Sequence, residues 1–347
     1  MNNQKKQKGE ILFISASFVF FIMKILSFIR TPDGQRKLYF FNKQILSYKI
    51  PCKYRKIFNR RFNGLTQDEI RYLLEIQFLT KTKCPLNIDN PKTFNEKIQW
   101  QKLYYHDPLM TKCADKVEGR NYIKDVVGER YLVPCLGIYN SVDEIDFNKL
   151  PNRFALKVNW GCKQNIICKD KTKLNIKKAK AKLKKWIDPK SNHYYNCFEW
   201  QYKDIKPKII CEQFVDCCDE RKDILETNNK FLCFNGKFKY LFISTKDILG
   251  NRYYNYYDSK LNSLFVQDDH PAKTDLKLDF DYKKMIEIAE KLSKPFPHVR
   301  VDMYEDINKN IYVGELSFTH GNGVSMINKE WDYKFGEEYV LPEKKLL

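Results

Sequence analysis

The chain has 347 residues, 43% hydrophobic and 15% aromatic, enough for one large domain or two to three small ones, and this excludes an intrinsically disordered chain. Its formal charge of +19 comes largely from lysine spread along the sequence. That charge favours anionic partners such as nucleotides, acidic polysaccharide, nucleic acid or a lipid surface, or else simply reflects a composition also rich in Asn, Ile and Tyr. The 11 cysteines are an odd number with no CxxC pair, and no histidine stands at zinc-finger spacing, which points to reduced thiols rather than a disulfide or zinc framework.

In chain order, residues 11–29 come first: they are apolar except for Lys24 and three serines, about the length of a minimal membrane-spanning helix. Lys5, Lys6 and Lys8 precede them without a small-x-small cleavage site, and Arg30, Arg36, Lys37, Lys43, Lys49, Lys53, Arg55 and Lys56 follow. Basic flanks on both sides give no orientation. They favour a segment lying in or dipping into the cytoplasmic leaflet, against two alternatives, a buried soluble helix and a stretch upstream of the true start. The expected division is 1–30 as a membrane-associating segment, 31–90 as a basic helical extension with a helix beginning at Thr66, and 91–347 as the main body.

In the body, TFNEKIQWQKLYYHD reads as a helix, TKCADKVEGRNYIKDVVG as a second one closed by Gly128, and RFALKVNWGCKQNIICKD as two strands around a tight loop. LNIKKAKAKLKKWI is amphipathic, with Ile176, Ala179, Leu183 and Trp186 on one face and solvated lysines on the other. PKIICEQFVD is a short apolar strand, and KFLCFNGKFKYLFIST is a strand pair turning at Asn235-Gly236. The helix DYKKMIEIAEKLSK leads into a last hairpin. Helices mixed with antiparallel hairpins predict an α+β architecture.

That hairpin is the most informative stretch. Val299, Val301 and Met303 alternate with Arg300, Asp302 and Tyr304; beyond an Asn308–Asn310 turn, Val313, Glu315 and Ser317 alternate with Tyr312, Gly314 and Leu316. Asp302 and Glu315 thus fall on adjacent strands, with Arg300 alongside and a Gly321/Gly323 loop just beyond. Facing a cleft, they would make a hard oxygen site suited to Mg²⁺ carrying phosphate; facing solvent, they are ordinary hairpin charges.

Neither GxxxxGK[ST] nor GxGxxG occurs. Instead the parts follow an order: Asp115-Lys116 at the start of the second body helix, Lys157 ending a strand before the NWGCKQN loop, Glu212-Gln213-Phe214-Val215 ending a hydrophobic strand, then Asp302 and Glu315. This order resembles the ATP-grasp superfamily. More closely, TFNEKIQWQKLY, ADK, FALKVN, IICKDK, EWQYKDIKPKII, FLCFNGK, AEKLSKPFPHVRVDMY and VGELSF resemble its TupA-like branch, associated with teichuronopeptide and other surface-polysaccharide gene clusters. The similarity runs from about Lys92 to Tyr339 and does not cover residues 1–90.

The resemblance implies two α+β subdomains clasping ATP, transfer of the γ-phosphoryl group to a carboxylate, and attack on the acyl phosphate by an amine. It implies that Lys116 and Lys157 bind phosphates beneath a Gly-containing loop, fitted by Gly161. A surface helix position is the plainer alternative for Lys116. It assigns adenine to the linker, with Glu212, Phe214 and Val215 as candidates, and Mg²⁺ to Asp302 and Glu315. Arg300 is placed for the γ-phosphate or acyl phosphate. Where many relatives carry asparagine this chain has Ser317, a weaker ligand, and Asn322 stands in as a substitute. Lys230 matches a lysine of the family pattern, without an assigned target. The implied partners are ATP and an acidic glycan or amino-acid acceptor at the cytoplasmic face of the inner membrane; nucleic acid is disfavoured. Two other readings are a non-catalytic basic binder of nucleic acid or membrane and a glycosyltransferase using a DxD triad, and the only DxD triplet is Asp279-Phe280-Asp281. Since Asp281 directly precedes a helix, an N-cap is its simpler role.

Overall fold

A computed structural model of the chain describes residues 51–217, 224–274 and 276–346 in full, and before them the backbone of three strands. The chain divides into two compact units, Met1–Leu65 and Thr66–Leu347. In the first, β1 (Leu26–Arg30), β2 (Gln35–Phe40) and β3 (Lys43–Lys49) form an antiparallel sheet in that order, followed by a helix, Cys52–Asn59. The last residues of the apolar segment 11–29 are therefore strand, and the stretch expected to be helical contains two strands. Segments such as QRKLYF carry the aromatic and apolar residues that pair well, a preference that hydropathy over a long window does not register. The rest of the expected anchor, residues 11–25, lies outside the described residues. Among the described residues no helix is long and apolar enough to cross a membrane.

The second unit opens with two capped helices. Thr66 accepts from the Glu69 amide while the Glu69 carboxylate accepts from that of Thr66, a capping box that starts Gln67–Thr82. Thr93 and Glu96 repeat it at Phe94–Tyr104. The next predicted helix is two, Pro108–Ala114 and Gly119–Val127. Asp115 breaks it by accepting the Val117 amide at 2.8 Å, and a Cβ on Gly119 would lie 2.9 Å from the Cys113 carbonyl, so the turn requires glycine there. Lys116 accordingly sits in the break, not at a helix start.

A four-stranded antiparallel sheet follows, from β4 (Cys135–Tyr139), β5 (Phe154–Val158), β6 (Asn165–Cys168) and β7 (Ile209–Gln213), in the order β4-β7-β5-β6. Helices Ile176–Trp186 and Tyr194–Cys197 lie between β6 and β7 in sequence. The larger sheet contains β8 (Ile224–Phe234), β9 (Lys237–Asp247), β10 (Arg252–Tyr257), β11 (Ser263–Leu264), β12 (His298–Glu305) and β13 (Ile311–Ser317). Its order is β11-β10-β9-β8-β12-β13, every pairing antiparallel. Asn235 and Gly236, at φ of 49° and 74°, make the predicted two-residue turn. The architecture is α+β, as expected.

Successive side chains of a strand point to opposite faces, and β8 is buried on both. Phe231 and Cys233 join Leu241, Val299, Val301 and Met303 under the helix Tyr282–Ser293, which contributes Met285, Ile288, Ala289 and Leu292. Leu232 and Phe234 enter a second, aromatic cluster with Phe94, Phe242, Tyr256, Trp331, Phe335 and Tyr339, the last helix being Lys329–Glu338. On that second face of β8 the row continues from Phe234 and Leu232 to Lys230 and Asn228. The sheet face thus changes from apolar to polar along one strand, and the polar end is where the site forms. Asp281 caps its helix by accepting the Lys284 amide at 2.9 Å, which gives the DxD triplet a structural role.

Candidate active site

The final hairpin has the pairing expected of it: Asp302 lies directly opposite Glu315, and Arg300 opposite Ser317. One part of the alternation fails. A bulge places Met303 opposite Val313, so Val313 joins the core with Leu316 instead of sharing the face of Glu315. Gly314 absorbs the extra residue; a Cβ there would meet the Tyr304 ring at 2.9 Å.

Lys230 of β8 is the register partner of Asp302 on the other side and ion-pairs with it. Arg300 clasps the same carboxylate from Nε at 2.6 Å and Nη2 at 2.8 Å. Asp302 is 4% exposed. Burial pushes its carboxyl up, but Arg300 and then Lys230 outweigh burial and hold it below the usual carboxylate range. Glu315 is affected in the same way: burial raises it, Lys116 at 3.4 Å and Arg300 lower it more, and the Ser317 hydroxyl donates to it at 2.9 Å. Both groups are carboxylates at neutral pH.

Lys116 also donates to the Gly161 carbonyl at 3.0 Å. It is aimed there by buried Asn159, which donates to Asp115 at 3.1 Å and to the Lys206 carbonyl at 2.9 Å, while its own carbonyl accepts the Lys116 amide. Gly161 sits in the middle of a tight turn that runs from Val158 to Gln164 and is closed by the Val158 amide on the Gln164 carbonyl. A Cβ on Gly161 would come within 2.6 Å of the Gln164 Cβ, so only glycine fits. Lys157 on β5 lies 2.6 Å from Glu212 Oε2, and Arg120 donates to Glu212 Oε1 at 3.0 Å.

A cavity of about 160 Å³ gathers Lys116, Lys157, Gly161, Asp302 and Glu315 into one place, together with Lys163, Gln164, Asn165, Asn228, Tyr304 and Gly314. Arg300 and Ser317 do not line it; Ser317 bridges Arg300, at 3.0 Å, and Glu315, which does. Glu212 is one ion pair away through Lys157. Phe214 and Val215 do not line the cavity: they lie on the linker leaving β7, where the Arg153 guanidinium covers the Phe214 ring at 4.1 Å. Asn322 is turned elsewhere, its side-chain oxygen and carbonyl both held by Lys102, so it does not stand in for Ser317. Lys163 and Gln164 were legible as members of the glycine loop; Asn228 was not, because the strand expected to begin at Lys230 begins at Ile224. Tyr304 was legible on the face it shares with Arg300 and Asp302, whereas the Gly314 contribution depends on the bulge and had no sequence signal.

Two ionised carboxylates on neighbouring strands are hard oxygen donors, and three lysines line the same cavity. The donor set fits Mg²⁺ and a polyphosphate.

No protein of curated function matches the sequence. Similar solved structures include the D-cycloserine synthetase DcsG, 11% identical over 67% of this chain and 70% of that one, with a TM-score of 0.36. An L-amino acid ligase from Bacillus licheniformis is 15% identical over 78% and 56% of the two chains, with a TM-score of 0.36. The D-alanine–D-alanine ligase from Bacillus anthracis, complexed with ATP, is 13% identical over 59% and 55%, with a TM-score of 0.35. This chain thus spans little more than half the length of the latter two. The TupA-like ATPgrasp model matches residues 96–340, and the chain belongs to that family.

Proposed function

We propose that this protein joins a carboxylate to an amine through an acyl phosphate, in the synthesis of a cell-surface polysaccharide or teichuronopeptide. The observation that carries the reading is the convergence of Lys116, Lys157 and Lys163 with Asp302 and Glu315 on one cavity. In the first step a substrate carboxylate oxygen attacks the γ-phosphorus and the bond to the β-phosphate oxygen breaks, releasing ADP. In the second an amine attacks the acyl carbon, phosphate leaves, and the amine loses a proton. Asp302 and Glu315 would hold Mg²⁺, which when bound neutralises charge between the β- and γ-phosphates. Ser317 acts by orienting Glu315.

Lys116 and Lys157 bind phosphate oxygens, and the Gly161 turn covers them and excludes water. Glu212, Phe214 and Val215 form the adenine side of the site, with Glu212 held in place by Arg120. Arg300, fixed by Asp302 and Ser317, is poised for the phosphoryl group in flight. We assign catalysis to residues 91–347 and association with the cytoplasmic face of the membrane to residues 1–30, on their apolar and basic composition. The acceptor is an acidic glycan or an amino acid, as the basic charge suggests.

The test is ADP release by purified protein with Mg²⁺, screened over uronic acids and amino acids singly and in pairs. Release that requires both a carboxylate and an amine supports the ligase. Turnover of a nucleotide-sugar, with no ADP released from ATP under any pair, refutes it.

A further inference from the structure

Beyond the oxygen site lies a second cluster of different chemistry. The helix Tyr194–Cys197 ends at Phe198, a buried aromatic residue at φ 56°, in the left-handed region that costs a bulky side chain energy. That turn folds Glu199 back, so that His193, Cys197 and Glu199 each offer a ligand atom within 4.8 Å of the others. His193 Nδ1 lies 3.5 Å from Glu199 Oε2. The other carboxylate oxygen accepts from the Thr319 hydroxyl, which in turn accepts from Gln201 at 2.8 Å, so the acid is oriented by a supporting layer. One imidazole nitrogen, one thiol sulfur and one carboxylate oxygen suit a borderline-soft ion such as Zn²⁺, with a fourth position open, and do not suit Mg²⁺.

The remaining ring nitrogen matters as much. His193 Nε2 accepts the backbone N–H of Cys162 at 3.3 Å, and Cys162 follows Gly161 in the turn beside the cavity. A neutral imidazole has one free lone pair. Coordination through Nδ1 leaves Nε2 protonated; coordination through Nε2 uses that lone pair. Either way the Cys162 amide loses its acceptor.

We propose that His193, Cys197 and Glu199 form a Zn²⁺-class site whose occupation unties Cys162 from His193 and loosens the Gly161 turn. The site stands on its own donors; its effect on nucleotide rests on the reading of the cavity as the phosphate site.

The test uses full-length, tag-free protein with saturating Mg²⁺ to block the oxygen site. Zn²⁺ is titrated against a chromophoric chelator, and Co²⁺ is added separately to look for a thiolate-to-cobalt charge-transfer band. Wild type is expected to bind one equivalent more tightly than Cys197→Ser and His193→Ala by at least about tenfold, the scale on which losing one ligand or its support weakens a metal site, and Cys197→Ser is expected to lose the band. Circular dichroism checks that the variants fold, and Glu199→Gln provides a third. Zn²⁺ should also shrink the ATP-induced rise in melting temperature of wild type but not of Cys197→Ser. Equal Zn²⁺ affinity in wild type and all three folded variants overturns the site. An ATP-induced shift that Zn²⁺ leaves unchanged overturns the coupling. Absence of any ATP-induced shift with Mg²⁺ present and Zn²⁺ absent refutes the nucleotide reading instead, and the Zn²⁺ titration, which needs no nucleotide, still decides the site.

Discussion

Asp302→Asn separates the structural role of this carboxylate from its proposed role in holding Mg²⁺. The carboxylate is 4% exposed and is shared by Arg300, through hydrogen bonds of 2.6 and 2.8 Å, and by Lys230. Replacing it with an amide keeps the shape but leaves two buried cations facing a neutral group. Breaking a buried ion pair from one side costs about 3–5 kcal/mol. Arg300 keeps its bond to Ser317 and its contact with His320, so we expect the low end, about 3 kcal/mol of stability. Losing a metal clamp should independently lower activity at least about a hundredfold. The double variant Asp302→Asn/Lys230→Met removes one stranded cation and should recover roughly half of the stability, a coupling of the size seen between contacting residues, with none of the activity. Urea unfolding and ADP release measure the two effects. If Asp302→Asn keeps wild-type stability and turnover, the buried triad is not what holds this hairpin. If the double variant recovers activity, Asp302 serves Lys230 and not a metal.

Glu315→Gln should lower ADP release at least about a hundredfold and blunt its Mg²⁺ dependence, read by Mg²⁺ titration. Lys157→Ala should abolish turnover and leave the fold intact, because Glu212 retains Arg120; normal ADP formation by the folded variant removes Lys157 from the site. Gly314→Ala should destabilise by about 1–3 kcal/mol, since its Cβ would press on the Tyr304 ring at 2.9 Å and must displace it. His298 is buried and held neutral, its pKa lowered from 6.5 to about 3 chiefly by burial. The unfolded chain therefore takes up this proton first, and stability is lost as pH falls from about 6.5 toward 3. The loss should be about 2 kcal/mol at pH 5, and His298→Asn should flatten that slope in urea titrations.

The hairpin was legible because strand periodicity puts Asp302 on one face with Arg300 and Tyr304 and puts Glu315 on one face of the next strand with Ser317; that the two carboxylates stand opposite each other depends on the bulge between Asp302 and Met303. The bulge was not legible, because it depends on how Gly314 meets the Tyr304 ring, a contact between residues on different strands. Lys116, which lines the cavity, was singled out by its place in the order of motifs, although the helix expected to carry it is broken by the Asp115 side chain competing for backbone amides. Lys230 had no assigned target because its partner, Asp302, lies 72 residues away. The site thus divides physically. What local periodicity determines was readable, and what long-range pairing determines was not.

The same division explains the helix Phe94–Tyr104, whose buried polar residues make a poor apolar stripe. Asn95 pairs with the backbone of Ser325, Gln99 donates to the Asn322 and Gly323 carbonyls at 2.9 and 2.8 Å, and Gln101 donates to that of Phe318 at 3.0 Å. These bonds fix the chain on either side of His320. Burial, then the charge of Arg300, lowers the His320 pKa well below its usual value, so the ring is neutral and Nδ1 accepts from Arg300 Nη1 at 3.1 Å. Arg300 is thereby held on two sides, by Asp302 within its strand and by a ring that this helix positions. A guanidinium set in this way does not need to reorganise when charge develops beside it, which is the condition under which a cation lowers a phosphoryl-transfer barrier most. Polar side chains inside a helix that amphipathicity alone would make apolar are therefore the support of the site, reaching it through a loop more than 200 residues away in sequence.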